Sequence, residues 1–190
     1  MTVYFETRRL IARDYQPEDL PAFTAMNQDD AVMRYFPHKL NAAESKVFME
    51  KLQLLLMANN YGLFALEEKR SRAFIGFTGF HLADFESSFT PATEIGWRLC
   101  EEKWHQGYAT EAARGALDYA AAKTALQEAI SFTAKANLPS QKVMQRIGMT
   151  FAGAFIHPRV AHDSPLADHV LYHLNIKIKK RPRVTGAFFY

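Results

Sequence analysis

The chain has 190 residues, of which 48% are apolar and 23% charged, and its formal net charge is only +3. This balance excludes a disordered chain, and the small basic excess argues against a nucleic-acid partner while favouring an anionic ligand. Cys100 is the single cysteine, so an internal disulfide is excluded and a reducing, cytoplasmic location is expected.

No stretch is typical of a membrane segment. The opening MTVYFETRRLIARDY is charged where a signal peptide would be apolar. The run FMEKLQLLLMANNYGLF is interrupted by Glu50, Lys51 and Gln53, which a bilayer span does not tolerate. We therefore expect a soluble protein with no membrane partner.

The first third of the chain predicts one strand followed by two helices. Residues 3–14 are predicted to form the strand, and residues 17–36 carry apolar side chains at helical spacing. Residues 41–59 form the second predicted helix, because Asn41 is a good N-cap and Glu44 follows it as in a capping box.

The rest of the chain alternates predicted strands with two further helices. A hairpin with a KRSR turn is predicted for residues 61–68 and 73–84. The later elements are a strand at 93–101, a turn and helix at 104–122, a strand at 129–136, a helix at 139–148 before its closing Gly148, and strands at 151–157 and 168–178. This order predicts an α/β fold, one mixed sheet of about seven strands with about four helices on its two faces.

The turn WHQGYAT at residues 104–110 is the first candidate site. Gly107 and Ala109 carry no side chain that would keep a ligand from the backbone. The first N–H groups of a helix have no partner within it, and the helix dipole adds positive charge there, so the turn suits a phosphate or pyrophosphate. A plain strand-to-helix turn that needs a glycine is the alternative. The patterns G-x-x-x-x-G-K-[ST] and G-x-G-x-x-G do not occur, which argues against a P-loop kinase and a Rossmann dehydrogenase.

Three blocks of the sequence together resemble the GNAT superfamily of acetyl-CoA-dependent N-acetyltransferases. They are TRRLIARDYQPEDLPAF near the start, WRLCEEKWHQGYATEAA around the turn and ANLPSQKVMQRIGM after it, in the family's order. The similarity is greatest to the branch of ribosomal-protein alanine acetyltransferases. It implies one GNAT-fold domain over residues 1–178, a basic and aromatic tail at 179–190, acetyl-CoA as cosubstrate, and no metal.

The resemblance also implies the cofactor contacts. The backbone of the turn would hold the pyrophosphate of coenzyme A, and the pantetheine arm would lie along the strand at 93–101 like an added strand. The residues so implied are Gln106, Gly107, Tyr108, Ala109 and Thr110 for the pyrophosphate, Trp97, Arg98 and Leu99 for the arm, and Asn137 with Ser140 at the next helix start. Trp104 stands where the family has a glutamine or arginine, which leaves the side-chain contacts to phosphate open.

Glu94 and Ser140 are the catalytic candidates. Acetyl transfer needs a neutral amine, so a base must take a proton, and a glutamate on this strand does so in several family members. A solvent-facing residue or a partner of Arg98 is the alternative for Glu94. Many relatives protonate the departing thiolate with a tyrosine, but Met144 holds that place, which leaves Ser140 or a water. The amine would attack the thioester directly, with Cys100 as a bystander.

Tyr35, Phe36 and His157 are the candidates for contacts to the acceptor, again from the resemblance. Packing in the core or in a loop is the alternative for each. An open groove between the loop at 36–45 and the segment at 157–169 would favour a peptide acceptor, and a closed pocket would favour a small molecule. The histidines of this segment match no tight spacing of metal ligands.

The sequence leaves two questions open: which amine is the acceptor, and whether the domain is an enzyme. The acceptor could be a protein or peptide N-terminus, or a small amine or amino acid. The domain could instead bind acyl-CoA without turnover, as a sensor or partner module. Exposed edge strands and the tail GAFFY are compatible with a homodimer.

Overall fold

An eight-stranded mixed sheet runs through residues 1–176, the part of the chain that the computed structural model describes. Its strands are β1 Val3–Glu6, β2 Leu10–Arg13, β3 Leu63–Glu68, β4 Phe74–Ala83, β5 Ala92–Leu99, β6 Glu128–Ala134, β7 Thr150–Ile156 and β8 Asp168–Asn175. The spatial order is β1-β2-β3-β4-β5-β6-β8-β7. Neighbouring strands are antiparallel except β5 and β6, which are parallel.

Helices cover both faces of the sheet. Within the described residues they are α1 Leu20–Gln28, α2 Asp30–Met33, α3 Ala42–Asn59, α4 Tyr108–Lys123 and α5 Leu138–Arg146. Side chains alternate along β5, so Ile95 packs with α4 and α5 in one buried cluster, and Cys100 packs with α1 and α3 in another. The α/β class is confirmed, with eight strands and five α-helices where about seven and about four are predicted.

The single strand predicted at 3–14 is wrong, because the segment is a hairpin of β1 and β2. Thr7 turns the chain: its N–H donates to the Leu10 carbonyl at 2.9 Å, and its hydroxyl accepts the Leu10 N–H at 3.1 Å. The turn contains neither glycine nor proline, the residues that usually mark such a reversal in a sequence.

The single helix predicted at 17–36 is also wrong, because it is divided between α1 and α2. Asp29 separates the two with an extended backbone (φ −70°, ψ 128°), and its carboxylate accepts the Val32 N–H at 2.9 Å. An aspartate in this conformation begins a new helix. The capping box of α3 is confirmed: Asn41 and Glu44 exchange hydrogen bonds of 2.8 and 3.0 Å.

The last elements follow the prediction closely. Gly148 comes just after α5 with φ +92°, as a residue that ends a helix does. The strand predicted at 168–178 is β8, which ends at Asn175. The predicted tail at 179–190 lies outside the described residues.

Small side chains let α4 lie close to the sheet. Ala113, Ala116 and Ala120 are fully buried against it. The approach is tight at Gly115, where an added Cβ would lie only 2.5 Å from the Phe5 ring of β1. Glycine is therefore required at this point by space.

Glu111 ties the first turn of α4 to the β1–β2 hairpin. Its carboxylate accepts the Thr7 hydroxyl at 2.7 Å, the Arg9 N–H at 2.8 Å and Arg9 Nε at 2.6 Å. Hydrogen bonds to charged groups are stronger than neutral ones, so this contact holds the start of the helix in place.

We expect Gly115→Ala to lower the free energy of unfolding by about 1–3 kcal/mol, because the new methyl group overpacks against Phe5. Helix propensity alone would raise stability by about 1 kcal/mol, so a net loss identifies the steric contact as its cause. Urea unfolding of the two proteins measures the difference. In a Phe5→Leu background the same substitution should cost less, and an equal cost in both backgrounds would contradict this assignment.

Candidate active site

The parallel strands β5 and β6 part near the middle of the sheet. Among the described residues their pairing is recorded at one position, Glu94 with Ile130, whereas β5 pairs with β4 along its whole length. The N–H of Cys100 donates to Ile75 of β4 at 3.0 Å. Backbone N–H groups alternate in direction along a strand, so those of Trp97 and Leu99 point away from β4, toward the gap that opens between β5 and β6.

The gap is closed at one end by a tryptophan. Nε1 of Trp104 donates to the Leu99 carbonyl at 2.9 Å, which fixes the end of β5. The residue that departs from the family pattern thus has a structural role here. Its indole N–H is used within the protein and is not free for a phosphate.

The turn predicted to bind phosphate leads into a helix end without a side-chain cap. Gly107 has a left-handed backbone (φ 80°, ψ 5°), and no side-chain hydrogen bond caps α4. The first bond of the helix is made by Glu111, which donates to the Gly107 carbonyl at 3.1 Å. The N–H groups of Tyr108, Ala109 and Thr110 precede it and have no partner within the helix. By contrast, α2, α3 and α5 begin with side-chain caps from Asp29, Asn41 and Asn137.

Charged side chains hold this turn in place. Nη1 of Arg9 donates to the Gln106 carbonyl at 2.9 Å, and the guanidinium lies 4.1 Å from the centre of the Tyr108 ring. The Tyr108 hydroxyl donates to Glu68, which also accepts Lys103 Nζ at 2.8 Å. The Lys103 hydrogen bond and those of its other donors lower the pKa of Glu68 to about 2. The turn is thereby fixed on β3, with a positive charge beside it that the sequence did not single out.

Asn137 and Ser140 lie at the start of α5, where the chain leaves β6. Oδ1 of Asn137 accepts the Ser140 N–H at 3.3 Å, and its Nδ2 donates to Thr133 at 2.9 Å. Asn137 is thus the N-cap of α5. Met144, which replaces the family's tyrosine, is only 1% exposed and packs in the core between α4 and α5.

Glu94 is buried and bonded to a histidine that sequence reasoning missed. Nε2 of His81 lies 3.0 Å from Oε2 of Glu94, across the β4–β5 pairing. The His81 side chain is 42% exposed, so it is the outer member of the pair. Burial lowers the pKa of His81, but the hydrogen bond to Glu94 and nearby carboxylate charges outweigh it, and the pKa is raised. Neither alternative for Glu94, a solvent-facing residue or a partner of Arg98, describes its contact.

Of the two glycines beside this pair, Gly96 leaves the sheet bare, whereas Gly79 is buried against the Gly62 backbone and the Phe64 ring. Gly79 and Gly96 are cross-strand partners next to the His81–Glu94 pair. A Cβ added to Gly96 would meet one neighbour within 4 Å, His81 at 3.8 Å. Space is therefore open above Gly96, on the face that carries Glu94.

An apolar cavity of about 590 Å³, open to solvent over much of its surface, lies on the same side of the sheet, between the chain after α2 and the first half of α3. Its wall consists of Met33, Phe36, Pro37, His38, Leu40, Ala43, Glu44, Val47, Phe48, Lys51 and Arg98. Phe36 is therefore part of this wall, and its contact to an acceptor stays a prediction. Tyr35 stacks on Arg34 instead, with 4.7 Å between guanidinium and ring centre, and is not part of this wall.

His157 lies in a separate aromatic cluster. Its ring is 4.6 Å from that of Phe85, 5.5 Å from Phe132 and 4.8 Å from His169. Burial lowers the pKa of both histidines, and for His157 the charge of His169 adds to the effect. The structure thus places His157 among rings and outside the cavity that contains Phe36.

Neither a membrane span nor a metal centre is indicated within residues 1–176. No helix there has the length and apolarity to cross a bilayer. No three histidine, cysteine, aspartate or glutamate side chains meet there in a way that would hold a metal ion.

The residues missed by sequence reasoning are His81 and Arg9. Each contacts a residue that is not its neighbour in the sequence: His81 contacts Glu94, and Arg9 contacts the turn at Gln106. The β4–β5 register, which puts His81 opposite Glu94, would have identified this histidine. The loop between the two strands leaves that register undetermined in the sequence.

Comparison with known proteins agrees with this geometry. The family model described as "Acetyltransferase (GNAT) domain" matches residues 9–150, which include the turn and both parting strands. The protein "Uncharacterized N-acetyltransferase YnaD" of Bacillus subtilis is 29% identical over 154 residues, covering 80% of this chain and 86% of the relative.

Solved structures share the fold. A GNAT-family acetyltransferase from Bacillus anthracis has a TM-score of 0.75 and 25% identity, covering 91% of this chain and 98% of its own. RimL, a ribosomal alpha-N-protein acetyltransferase in complex with coenzyme A, has a TM-score of 0.76 at 16% identity, covering 94% of this chain and 100% of its own. With a family match over most of its length, the chain belongs to the GNAT acetyltransferase family.

Proposed function

We propose that this protein transfers the acetyl group of acetyl-CoA to a primary amine by direct attack in a ternary complex. Two sets of backbone N–H groups without a partner among the described residues carry the proposal: those at the uncapped start of α4 and those along the gap beside β5. An anionic pyrophosphate and an extended amide arm are the ligands that such donors suit. RimL, with the same fold, is known in complex with coenzyme A.

The backbone of β5 would activate the acyl donor. Acetyl-CoA supplies a thioester carbonyl, whose oxygen gains negative charge as the amine attacks. The N–H groups of Trp97 and Leu99 face the gap and would stabilise that charge. These N–H groups are already in position before the amine attacks, since β5 is held by β4 on its other side.

The His81–Glu94 pair would take the proton of the amine. Nε2 of His81 faces the carboxylate, so in the neutral ring Nε2 carries the proton and Nδ1 is left as the acceptor. Glu94 then stabilises the charged ring that forms. A histidine oriented by a buried carboxylate is a general base of established strength.

Ser140 would return a proton to the departing thiolate. Its N–H is held by Asn137, and its hydroxyl makes no hydrogen bond to the described residues. Met144 cannot serve, because a thioether has no proton to give and its side chain is buried. A water is the other donor that the gap could admit.

Cys100 stays outside the chemistry. It is buried, and burial raises the pKa of its thiol to about 12, so the nucleophilic thiolate does not form at neutral pH. The free thiol also suits a reducing compartment, and we propose a cytoplasmic location on that ground.

The first test is the binding of the acyl donor. A ligand at a hundred times its Kd stabilises a protein by about 2.7 kcal/mol, which for this size is a rise in Tm of roughly 5–10 °C. We expect that rise with acetyl-CoA and with free coenzyme A, and none with NAD. Thiol release with a panel of amines then measures transfer. Binding without any transfer would favour a sensor of acyl-CoA over an enzyme.

Replacing Glu94 should change both the rate and its pH dependence. Because His81 must be neutral to act, the rate rises as pH increases through its raised pKa. Glu94→Gln removes the carboxylate that raises this pKa, so the rising limb should move to lower pH while the maximal rate falls about 10²-fold. His81→Asn should cost a similar factor.

The pH–rate profiles of kcat/KM for one acceptor provide the measurement. The titration of the acceptor amine itself is common to all variants and cancels in the comparison. A rising limb that stays in place in Glu94→Gln would exclude His81 as the titrating base.

Cys100→Ala should retain activity within about twofold, since the thiol takes no part in transfer. The steady-state rate and mass spectrometry of protein mixed with acetyl-CoA test this point. A stable acetyl-enzyme on the wild type that disappears in Cys100→Ala would instead indicate a covalent route.

A further inference from the structure

Arg98 contributes to the cavity wall a guanidinium that has no carboxylate partner within residues 1–176. Among the described residues it makes one hydrogen bond, from Nη1 to Asn27 Oδ1 at 2.6 Å. Its Nε is buried and has no partner there. The ring of Phe36 lies 4.0 Å from the guanidinium and that of Phe77 lies 5.4 Å away.

Arg13, which is buried, is by contrast fully paired with carboxylates. Arg13 donates to both carboxylate oxygens of Asp19, at 2.7 and 2.8 Å, and to Glu67 at 2.8 Å. These partners raise the pKa of Arg13. Burial instead lowers the pKa of Arg98 to about 10, opposed only by the phenol of Tyr15. Since a buried charge is costly unless paired, Arg98 has unused capacity for an anion.

The other charged groups of the cavity favour the same conclusion. Lys51 lines it as well, so with Arg98 the wall has, within the described residues, two cationic side chains against the single carboxylate of Glu44. The carboxylate of Glu44 is engaged in the cap of α3, where it accepts the Asn41 N–H at 2.8 Å. The remaining wall is apolar, apart from Arg98. An anion with an apolar body fits these surroundings, because the anion meets the guanidinium and the body meets the rings.

The cavity is connected to the proposed chemistry through β5. Glu94, Gly96 and Arg98 share one face of this strand, and Glu94 and Arg98 are about 13 Å apart along it at 3.3 Å per residue. Gly96 between them has open space above it. An amine near Gly96 can therefore meet the His81–Glu94 pair while an acidic group of the same molecule reaches toward Arg98.

We propose that the Arg98 side chain binds a carboxylate of the acceptor, so that the substrate is an amine carrying a carboxylate on an apolar body. Apolar amino acids and longer ω-amino acids are the simplest members of this class. The inference rests on the proposed function and names its acceptor. Arg98 is then the residue that determines specificity, through a planar fork that matches a carboxylate.

The test compares each acid with its amide. Leucine, phenylalanine and aminohexanoic acid, and the amide of each, are offered with acetyl-CoA, and kcat/KM is measured by thiol release. The two forms differ in amine basicity, but that difference cancels when one protein is compared with another. Leucine and aminohexanoic acid also show whether the carboxylate lies close to the amine or far from it.

We expect Arg98→Gln to lower kcat/KM about 10- to 100-fold for the acids and to change it less than about twofold for the amides. Arg98→Lys, which keeps the charge and loses the fork, should lie between. Arg34→Gln is the matched control, since Arg34 also stacks on an aromatic ring but lies outside the cavity wall. Arg98→Gln also removes the hydrogen bond to the buried Asn27, so the Tm of each variant is measured, and the retained kcat/KM for the amides shows that the variant is folded.

Equal losses for acids and amides in Arg98→Gln, or no loss for either, would overturn the inference and leave the proposed function standing. Should no amine be acetylated although coenzyme A binds, the proposed function fails instead. The inference is then judged by thermal shift with leucine and coenzyme A together: a shift lost in Arg98→Gln supports carboxylate binding, and an unchanged or absent shift rejects it.

Discussion

The parting of β5 from β6 is the constraint on which the site depends. Parallel neighbours must be joined by a crossover, and here the crossover is the turn and α4, which bring a helix N-terminus to the end of β5. Had β6 stayed paired with β5, the donors at Trp97 and Leu99 would be used within the sheet. The gap and the helix N-terminus beside it thus both result from the crossover that joins β5 to β6. Both expose backbone groups that a folded protein normally satisfies internally.

Such exposed donors remain in position only because the surroundings are held firmly. Glu111 joins α4 to the first hairpin through Thr7 and Arg9, and Arg9 also reaches the turn itself. Trp104 secures the end of β5. These contacts come from segments far apart in the chain, so the site is preorganised by the fold and not by its own loop.

The two faces of the sheet differ in packing and in the polarity of their side chains. Alanines and Gly115 on α4 make one face a closely packed support. The other face carries His81, Glu94 and Arg98 beside a cavity, with open space above Gly96 between them. Nε of Arg98 is buried there without a partner among residues 1–176, and such groups reduce stability, which supports placing the proposed site on this face.

The sequence by itself determined the α/β class, the capping box of α3, the small-residue turn and the identity of the strand that carries Glu94. These features are local: they depend on periodicity, on caps and on residues that lie next to one another, and a reader can find them without coordinates. The division of residues 3–14 and 17–36 was not predicted, because Thr7 and Asp29 redirect the chain through one or two local hydrogen bonds each and neither site contains a glycine or proline. Only the tertiary structure decided that Glu94 meets His81, that His157 joins other rings, and that the Arg98 guanidinium borders a cavity with no carboxylate partner among residues 1–176. Those relations depend on strand register and on burial, which are set by the packing of distant segments and leave no periodic trace in the sequence.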